Sequence, residues 1–491
     1  MTSRDVTRRR NPHVTSGLRE QNQRSPRAGF TRVAIIFLSG HMIDMLAMGS
    51  LMVPLISLPT GRTATYGLLF KHRLECDYLP EPAHRSSAPV GLQREAIMAK
   101  AMIFLFDGTG NDATVDSFSN VYAINQLIAD TKRKKSGSRY IQRPQVTFYL
   151  PGVGTQFTVK RPKRNRFGRW DKVRQQIFGD NLEQLIIRAY VNLCANYAPE
   201  DDIILIGFSR GGVAARIFSR LISDFGILRS EMLSLLDRLW NEFVEISSIQ
   251  SDDEYSRNIT SLKGQMASTT RDGLSAFHNS VEKPIKFIGV FDTVIGSEDV
   301  MLPKNVDFRD SFPARGVNFA AQLLSMHDIR GEFQYKKFKP VNFQSAQIRQ
   351  IWVPGVHSDI GGGYRDDFIS NICLLTMADL LREHGDISLD RSAVDDLVNK
   401  VRESVRRNRL KVNKEPFVIN VASRADDILA SEEIHPLHWY LVGKQILWKD
   451  DSFTDEYENR HEVNAPLMNK ELEALFNSWV SPPAPRRQKR S

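Results

Sequence analysis

From Ala101 onward, short apolar runs alternate with segments of helical periodicity, and this alternation constrains the fold more than any other feature of the chain. The apolar runs at 101–106, 145–150, 202–206, 284–291 and 350–356 are too short for helices and read as strands, the first of them apolar at every position. Between them, residues 181–197 place Leu182, Leu185, Ile186, Ala189, Tyr190 and Leu193 on one stripe, the pattern of a helix packed on a sheet. The expected fold is α/β: a mostly parallel sheet with flanking helices, joined by crossovers. With 41% hydrophobic and 25% charged residues among 491, the chain can bury a sizeable core.

In open parallel sheets, ligands bind beyond the carboxyl ends of the strands. The run at 202–206 leads into Gly207, Phe208, Ser209, Arg210 and Gly211, and helical spacing continues to Leu221. Strand, G-x-S-x-G, helix is the context in which a sharp turn presents a serine hydroxyl at the sheet edge, so Ser209 is read as a nucleophile. A serine needs a base to take its proton, and the base needs an acid to hold its tautomer. The run at 284–291 delivers Asp292, and the run at 350–356 delivers His357, followed by Asp359 and Gly361 to Gly363. His357 is read as the base and Asp292 is favoured over Asp359 as the acid; Asp359, so near His357 in sequence, is read as a brace for the loop. A tetrahedral intermediate also needs donors. The backbone N–H of Arg210 is one, and Gly108 or Thr109, with Asp107 in support, is the candidate for the second. Asp-Gly-Thr after a strand also occurs in aspartyl phosphatases of the haloacid dehalogenase type, but their nucleophile position is Leu105 here, which removes that reading.

Taken together, FDGTGN (106–111), YLPGVGT (149–155), GFSRGG (207–212), VFDTV (290–294) and WVPGVHSDIGGGY (352–364) resemble one α/β-hydrolase family of formerly uncharacterised domains. That family includes the type VI secretion phospholipase effectors of the first lipase class. The resemblance runs from Ala101 to about residue 390. It implies a serine hydrolase of acyl esters, a lipid substrate and export to a target cell, with Ser209 matching the nucleophile and Asp292 and His357 in the motifs that supply acid and base. The sequence departs from the family where an Asp-Glu pair is usual: His327, Asp328, Arg330 and Phe333 stand there. The competing expectation is a non-catalytic lipid- or ligand-binding protein on the same scaffold.

The formal charge of +9 invites a nucleic-acid reading, yet residues 101–480 hold 48 Lys and Arg against 50 Asp and Glu. The basicity lies in the termini, so no nucleic-acid partner is expected. Lys160 to Arg169 carries six positive charges among Phe157, Phe167 and Trp170, and is read either as a rim for an anionic membrane surface or as a solvated loop. Residues 1–97 are expected to be a basic, disordered leader. Residues 33–61 are long enough to span a bilayer, but Asp44 near the centre would cost about 2.5–3.5 kcal/mol. Further readings of this region are a signal peptide, which fits less well, and an extension preceding a native start at Met98. Residues 98–390 are expected to form the catalytic domain with a helical cap at 226–283, and residues 391–480 a helical part packed on it or extending it, before a basic tail at 481–491. Cys76, Cys194 and Cys373 are too far apart for a disulfide framework or a metal site, so reduced thiols in a cytoplasmic body are expected. No metal and no cofactor is expected, and the sequence gives no oligomeric state.

Overall fold

Ala101–Phe106 is buried at every position, because helices cover both faces of the sheet to which it belongs. The computed structural model describes residues 99–482 except 109–117, 137–138, 153–169, 247–248, 250, 268–274, 279–282, 296–310, 329–333, 340–345, 365–366, 413–423, 430, 449–452 and 458–468. The N-terminal leader with its apolar segment 33–61, the basic segment 160–169 and the C-terminal tail therefore lie outside the described residues.

In chain order the elements are β1 (Ala101–Phe106), α1 (Asn120–Leu127), β2 (Thr131–Ser136), β3 (Arg139–Leu150), α2 (Trp170–Asn196), β4 (Asp202–Phe208), α3 (Arg210–Phe225), α4 (Leu236–Ile246) and α5 (Asp252–Ala267). Then follow β5 (Ile285–Phe291), β6 (Val317–Ser325), β7 (Gln347–Val353), α6 (His357–Gly361), α7 (Phe368–His384), α8 (Arg391–Arg406), β8 (Glu433–Ile434), α9 (Leu437–Leu441), a hairpin of β9 (Gln445–Trp448) and β10 (Phe453–Glu456), and α10 (Lys470–Val480). Among the described residues one eight-stranded sheet runs β2-β3-β1-β4-β5-β6-β7-β8, parallel throughout except for the β2–β3 pair. The fold is α/β, as the alternation of runs required.

Alternate residues of each strand feed different cores. Met102, Phe104 and Phe106 pack with α2, α3, α4 and α5 on one face. Ala101, Ile103 and Leu105 pack with α1, α7, α8 and α10 on the other. The predicted stripe on α2 is buried in the first core.

Differences from the sequence reading have physical causes. Strand β6 carries Asn318 and Gln322, which break its apolar run; Gln322 is nevertheless fully buried, because Arg216 donates to its Oε1 at 2.7 Å and its own amide donates to the Lys336 carbonyl at 3.0 Å. Strand β2, TKRKKS, is polar throughout because it is an edge, where lysines oppose pairing with another chain. Strand β7 ends at Val353, so a short turn separates it from His357.

The stretch 226–283, expected as a helical cap, is described in part. The described helices of 226–283 contact the C-terminal half of α3: Phe243 meets Phe225, and Tyr255 bonds to Asp224 and accepts from Arg220. Ser209 precedes the opposite end of that helix.

Residues beyond 390 join the same structure. Leu397, Val401, Leu472, Phe476 and Trp479 are buried in the core of β1 and α7, and β8 extends the sheet through Ile351↔Glu433 and Trp352↔Ile434. Phe476→Ala should therefore destabilise this whole body by about 3–5 kcal/mol. In a chemical denaturation curve followed by both tryptophan fluorescence and circular dichroism, the entire transition should move. An unmoved main transition would mean that α10 is an independent appendage.

Candidate active site

The turn after β4 is built around close approach. A Cβ on Gly211 would come within 2.2 Å of the Phe106 carbonyl oxygen, and one on Gly207 within 2.6 Å of the Gly211 oxygen, so neither position accepts a side chain. Between them Ser209 has φ 57° and ψ −126°, a conformation that costs an L-residue about 1–3 kcal/mol. It occupies the N-cap position of α3, yet its hydroxyl makes no capping bond. Its own N–H donates to the Phe291 carbonyl at 3.1 Å, which ties the turn to the end of β5. Arg210 is the first residue of α3, so its N–H is one of the amino-terminal donors of that helix. Burial lowers the Arg210 guanidinium to about 10, which leaves it charged at neutral pH.

Asp292 follows β5 in a left-handed conformation, φ 37°, and is fully buried. Its Oδ2 lies 2.7 Å from His357 Nδ1. An ionised carboxylate can only accept, so Nδ1 carries the proton of this bond. The Ser325 N–H donates to Asp292 Oδ1 at 3.1 Å, and Arg424 Nη1 lies 2.9 Å from both oxygens. Burial pushes the Asp292 carboxyl upward, but the Arg424 charge, the His357 hydrogen bond and charge, and the Ser325 N–H together outweigh it and hold the group at about 2. His357 is the first residue of α6, and its ring lies against that of Phe208, centroids 4.7 Å apart. Phe208 pairs with Phe291 across β4 and β5, so the residues that follow them, Ser209 and Asp292, are neighbours at the sheet edge.

The surrounding polar groups lock the loops. The His357 N–H donates to Asp328 Oδ2 at 3.1 Å, Asp328 N–H donates to Ser325 Oγ, and that hydroxyl donates to the Gly355 carbonyl. Asp359 Oδ2 accepts from the Val356 N–H, so this carboxylate caps α6 while Asp292 faces the imidazole. Asp107 accepts from Ser119 Oγ at 2.7 Å, the Tyr149 hydroxyl at 2.6 Å and the Gly108 N–H at 2.6 Å, which joins β1, β3 and the start of α1. The Gly108 N–H is thus engaged by Asp107, and Thr109 lies outside the described residues.

Sequence reasoning missed Arg424 and Ser325, and left Asp328 without a role. Asp328 stands in a stretch already marked as a departure from the resembled family. Arg424 lies far along the chain, beyond the last motif read from the sequence, two residues after the apolar run 417–422. Among the described residues, no cluster of His, Cys, Asp and Glu could hold a metal ion, and no helix is long and apolar enough to cross a membrane. Cys194 and Cys373 are free and buried.

A family model described as "T6SS, Phospholipase effector Tle1-like, catalytic domain" matches residues 100–380. Among curated proteins the chain is similar to "Uncharacterized protein YEL023C" of Saccharomyces cerevisiae, with 24% identity over 248 residues. That alignment covers 50% of this chain and 33% of the yeast protein, so the chain spans about a third of the relative's length. Two solved structures are also similar at 18% identity. One is an uncharacterized protein from Pseudomonas aeruginosa, covering 58% of this chain and 46% of that one with a TM-score of 0.28. The other is described as the Tle1 effector bound to the VgrG spike from the Type 6 secretion system, covering 55% and 52% with a TM-score of 0.29. Superpositions this partial carry no weight for the fold, which rests on the strand order described above.

The depressed carboxyl of Asp292 links the site to stability. Because its folded value lies below the unfolded one, its contribution, roughly 2 kcal/mol, is present above about pH 4 and disappears as the pH falls toward 2. The stability difference between wild type and Asp292→Asn, measured by urea denaturation, should shrink across that window. A difference that stays constant from pH 5 to 2 would contradict an ionised, paired Asp292.

Proposed function

The chain belongs to the family of Tle1-like phospholipase effector catalytic domains of type VI secretion, matched over residues 100–380, and from that membership we propose that it is a lipid hydrolase, a serine esterase of the phospholipase type. Ser209 attacks the acyl carbonyl. His357 takes the hydroxyl proton at Nε2, and Asp292, bonded to Nδ1, holds the tautomer and offsets the imidazolium charge. The Arg210 N–H receives the developing oxyanion at the amino terminus of α3, and the Gly108–Thr109 turn is assigned the second donor, for which the Gly108 N–H has to leave Asp107. The imidazolium returns its proton to the departing alcohol, and a water then repeats the cycle on the acyl-enzyme.

One observation carries this reading: a buried Asp292–His357 pair at 2.7 Å stands at the sheet edge beside a serine held at left-handed φ by the G-x-S-x-G turn. Such strain persists only where the surroundings enforce it. The acyl ester is assigned to a membrane lipid because the family's described activity is that of a phospholipase. Delivery to a target cell, as expected of an effector, belongs to the same proposal, as does contact of the basic segment 160–169 with an anionic membrane surface.

Ser209→Ala should lose about three or more orders of magnitude in kcat/KM on p-nitrophenyl esters and on phospholipid vesicles while unfolding at the wild-type temperature. A fluorophosphonate probe should label wild-type protein at Ser209. Undiminished hydrolysis by the variant, or an unlabelled folded wild type, would favour a non-catalytic binder on the same scaffold.

A further inference from the structure

The acid of the proposed site is held by a residue outside the stretch that matches the catalytic domain. Arg424 opens a short 3-10 turn, Arg424–Asp427, whereas the family match ends at residue 380. Its guanidinium is almost wholly buried, and Nη1 sits 2.9 Å from both oxygens of Asp292. A buried arginine needs a reason, because desolvating the cation costs several kcal/mol before any pairing. The protein fixes this one from several sides. Its guanidinium lies 4.8 Å over the Tyr335 ring, and the Tyr335 hydroxyl donates to Asp427 at 2.8 Å, at the end of the same turn. Tyr335 is held beside the end of β5 by its bridge to Val294 and by the Lys336 N–H, which donates to the Thr293 carbonyl. After the turn, Ile428 packs with Leu324, Met326, Trp352 and Ile434, which anchors the segment to the ends of β6 and β7.

We propose that Arg424 is a positioning residue for the Ser209–His357–Asp292 machinery: by contacting both carboxylate oxygens it keeps Asp292 ionised and its Oδ2 aimed at His357 Nδ1. The proposal rests on the serine-hydrolase reading above. A carboxylate turning about its own bond would trade one oxygen for the other at the imidazole; a cation equidistant from both, with the Ser325 N–H on Oδ1, opposes that rotation. Among the described residues, the charged or titratable groups facing this pair include Asp328 at the His357 N–H, Asp359 on α6, Cys373 on α7, Tyr335 and Asp427 beside the guanidinium, and Glu432 beyond Tyr335. Burial and the Asp359 and Asp292 charges raise the Cys373 thiol, so it stays neutral. Arg424 therefore offsets a set of carboxylates, and without it the Asp292–His357 couple would hold its proton to higher pH.

The test uses the full chain and three variants. Arg424→Gln should lower kcat by about 10- to 100-fold with KM little changed, since the residue touches no substrate. It should also move the acid limb of the kcat/KM profile on a p-nitrophenyl ester up by about one pH unit. Arg424→Lys, which restores the charge without the planar fork, should return the limb to its wild-type position and kcat only in part, leaving it several-fold low. A folded Arg424→Gln protein with wild-type kcat and limb overturns the proposal. Should that variant fail to fold, Arg424→Lys decides: a wild-type kcat there means that the guanidinium contact is idle. Ser209→Ala separates the two levels. If it is inactive while the Arg424 variants behave as wild type, only the positioning role falls; if it retains activity, the serine reading itself falls.

Discussion

Parallel pairing is the constraint on which this structure depends. Once β4, β5, β6 and β7 run side by side in one direction, their carboxyl ends share one edge, and the residues that follow them have to meet. Ser209 and Asp292 become neighbours because Phe208 pairs with Phe291, and Asp292 reaches the β6 turn because Phe291 pairs with Leu323. His357 arrives from β7 across that same turn, where Ser325 and Asp328 bind both the acid and the loop carrying the imidazole. Register brings the serine, the acid and the imidazole together, and a slip of β4 against β5 would part Ser209 from Asp292.

The second constraint is electrostatic. Asp292 is fully buried, and burial by itself would drive the carboxyl toward its neutral form. The charge is kept because one cation, one imidazole N–H and one backbone N–H converge on two oxygens. Asp107 meets the same need with neutral donors, accepting from a serine, a tyrosine and a backbone amide. Both aspartates follow parallel strands and both are buried, Asp292 beside a guanidinium and Asp107 beside two hydroxyls and a backbone amide.

How much of this could be read in advance follows from the range of each signal. The strand-turn-helix around Ser209 is local, so its glycines and its apolar strand are visible in a dozen residues. Asp292 and His357 were legible because each ends an apolar run, and run ends are where parallel sheets collect function. Strand β6 was hidden because Gln322 breaks its hydrophobicity, and only the tertiary partners Arg216 and Lys336 make that glutamine acceptable in a core. The helices of 226–283 were visible as helices, but whether they cover the strand ends or flank α3 depends on which end of α3 they meet. No pattern in a single sequence encodes that. Arg424 was illegible because the partners that account for its burial, Asp292 and Tyr335, are distant in the chain, and nothing in the run 417–422 before it points to them.

The distance between Arg424 and the carboxylate it meets also has a consequence for biosynthesis. During translation all the parallel strands through β7 emerge before Arg424 exists, so a partly made sheet would bury Asp292 without its arginine. Protonating or leaving exposed that carboxyl is then cheaper than closing the sheet edge around it. The segment that carries Arg424 accordingly decides when the edge can close, and a nascent chain stalled before it has the strands through β7 but not the charge balance of their ends.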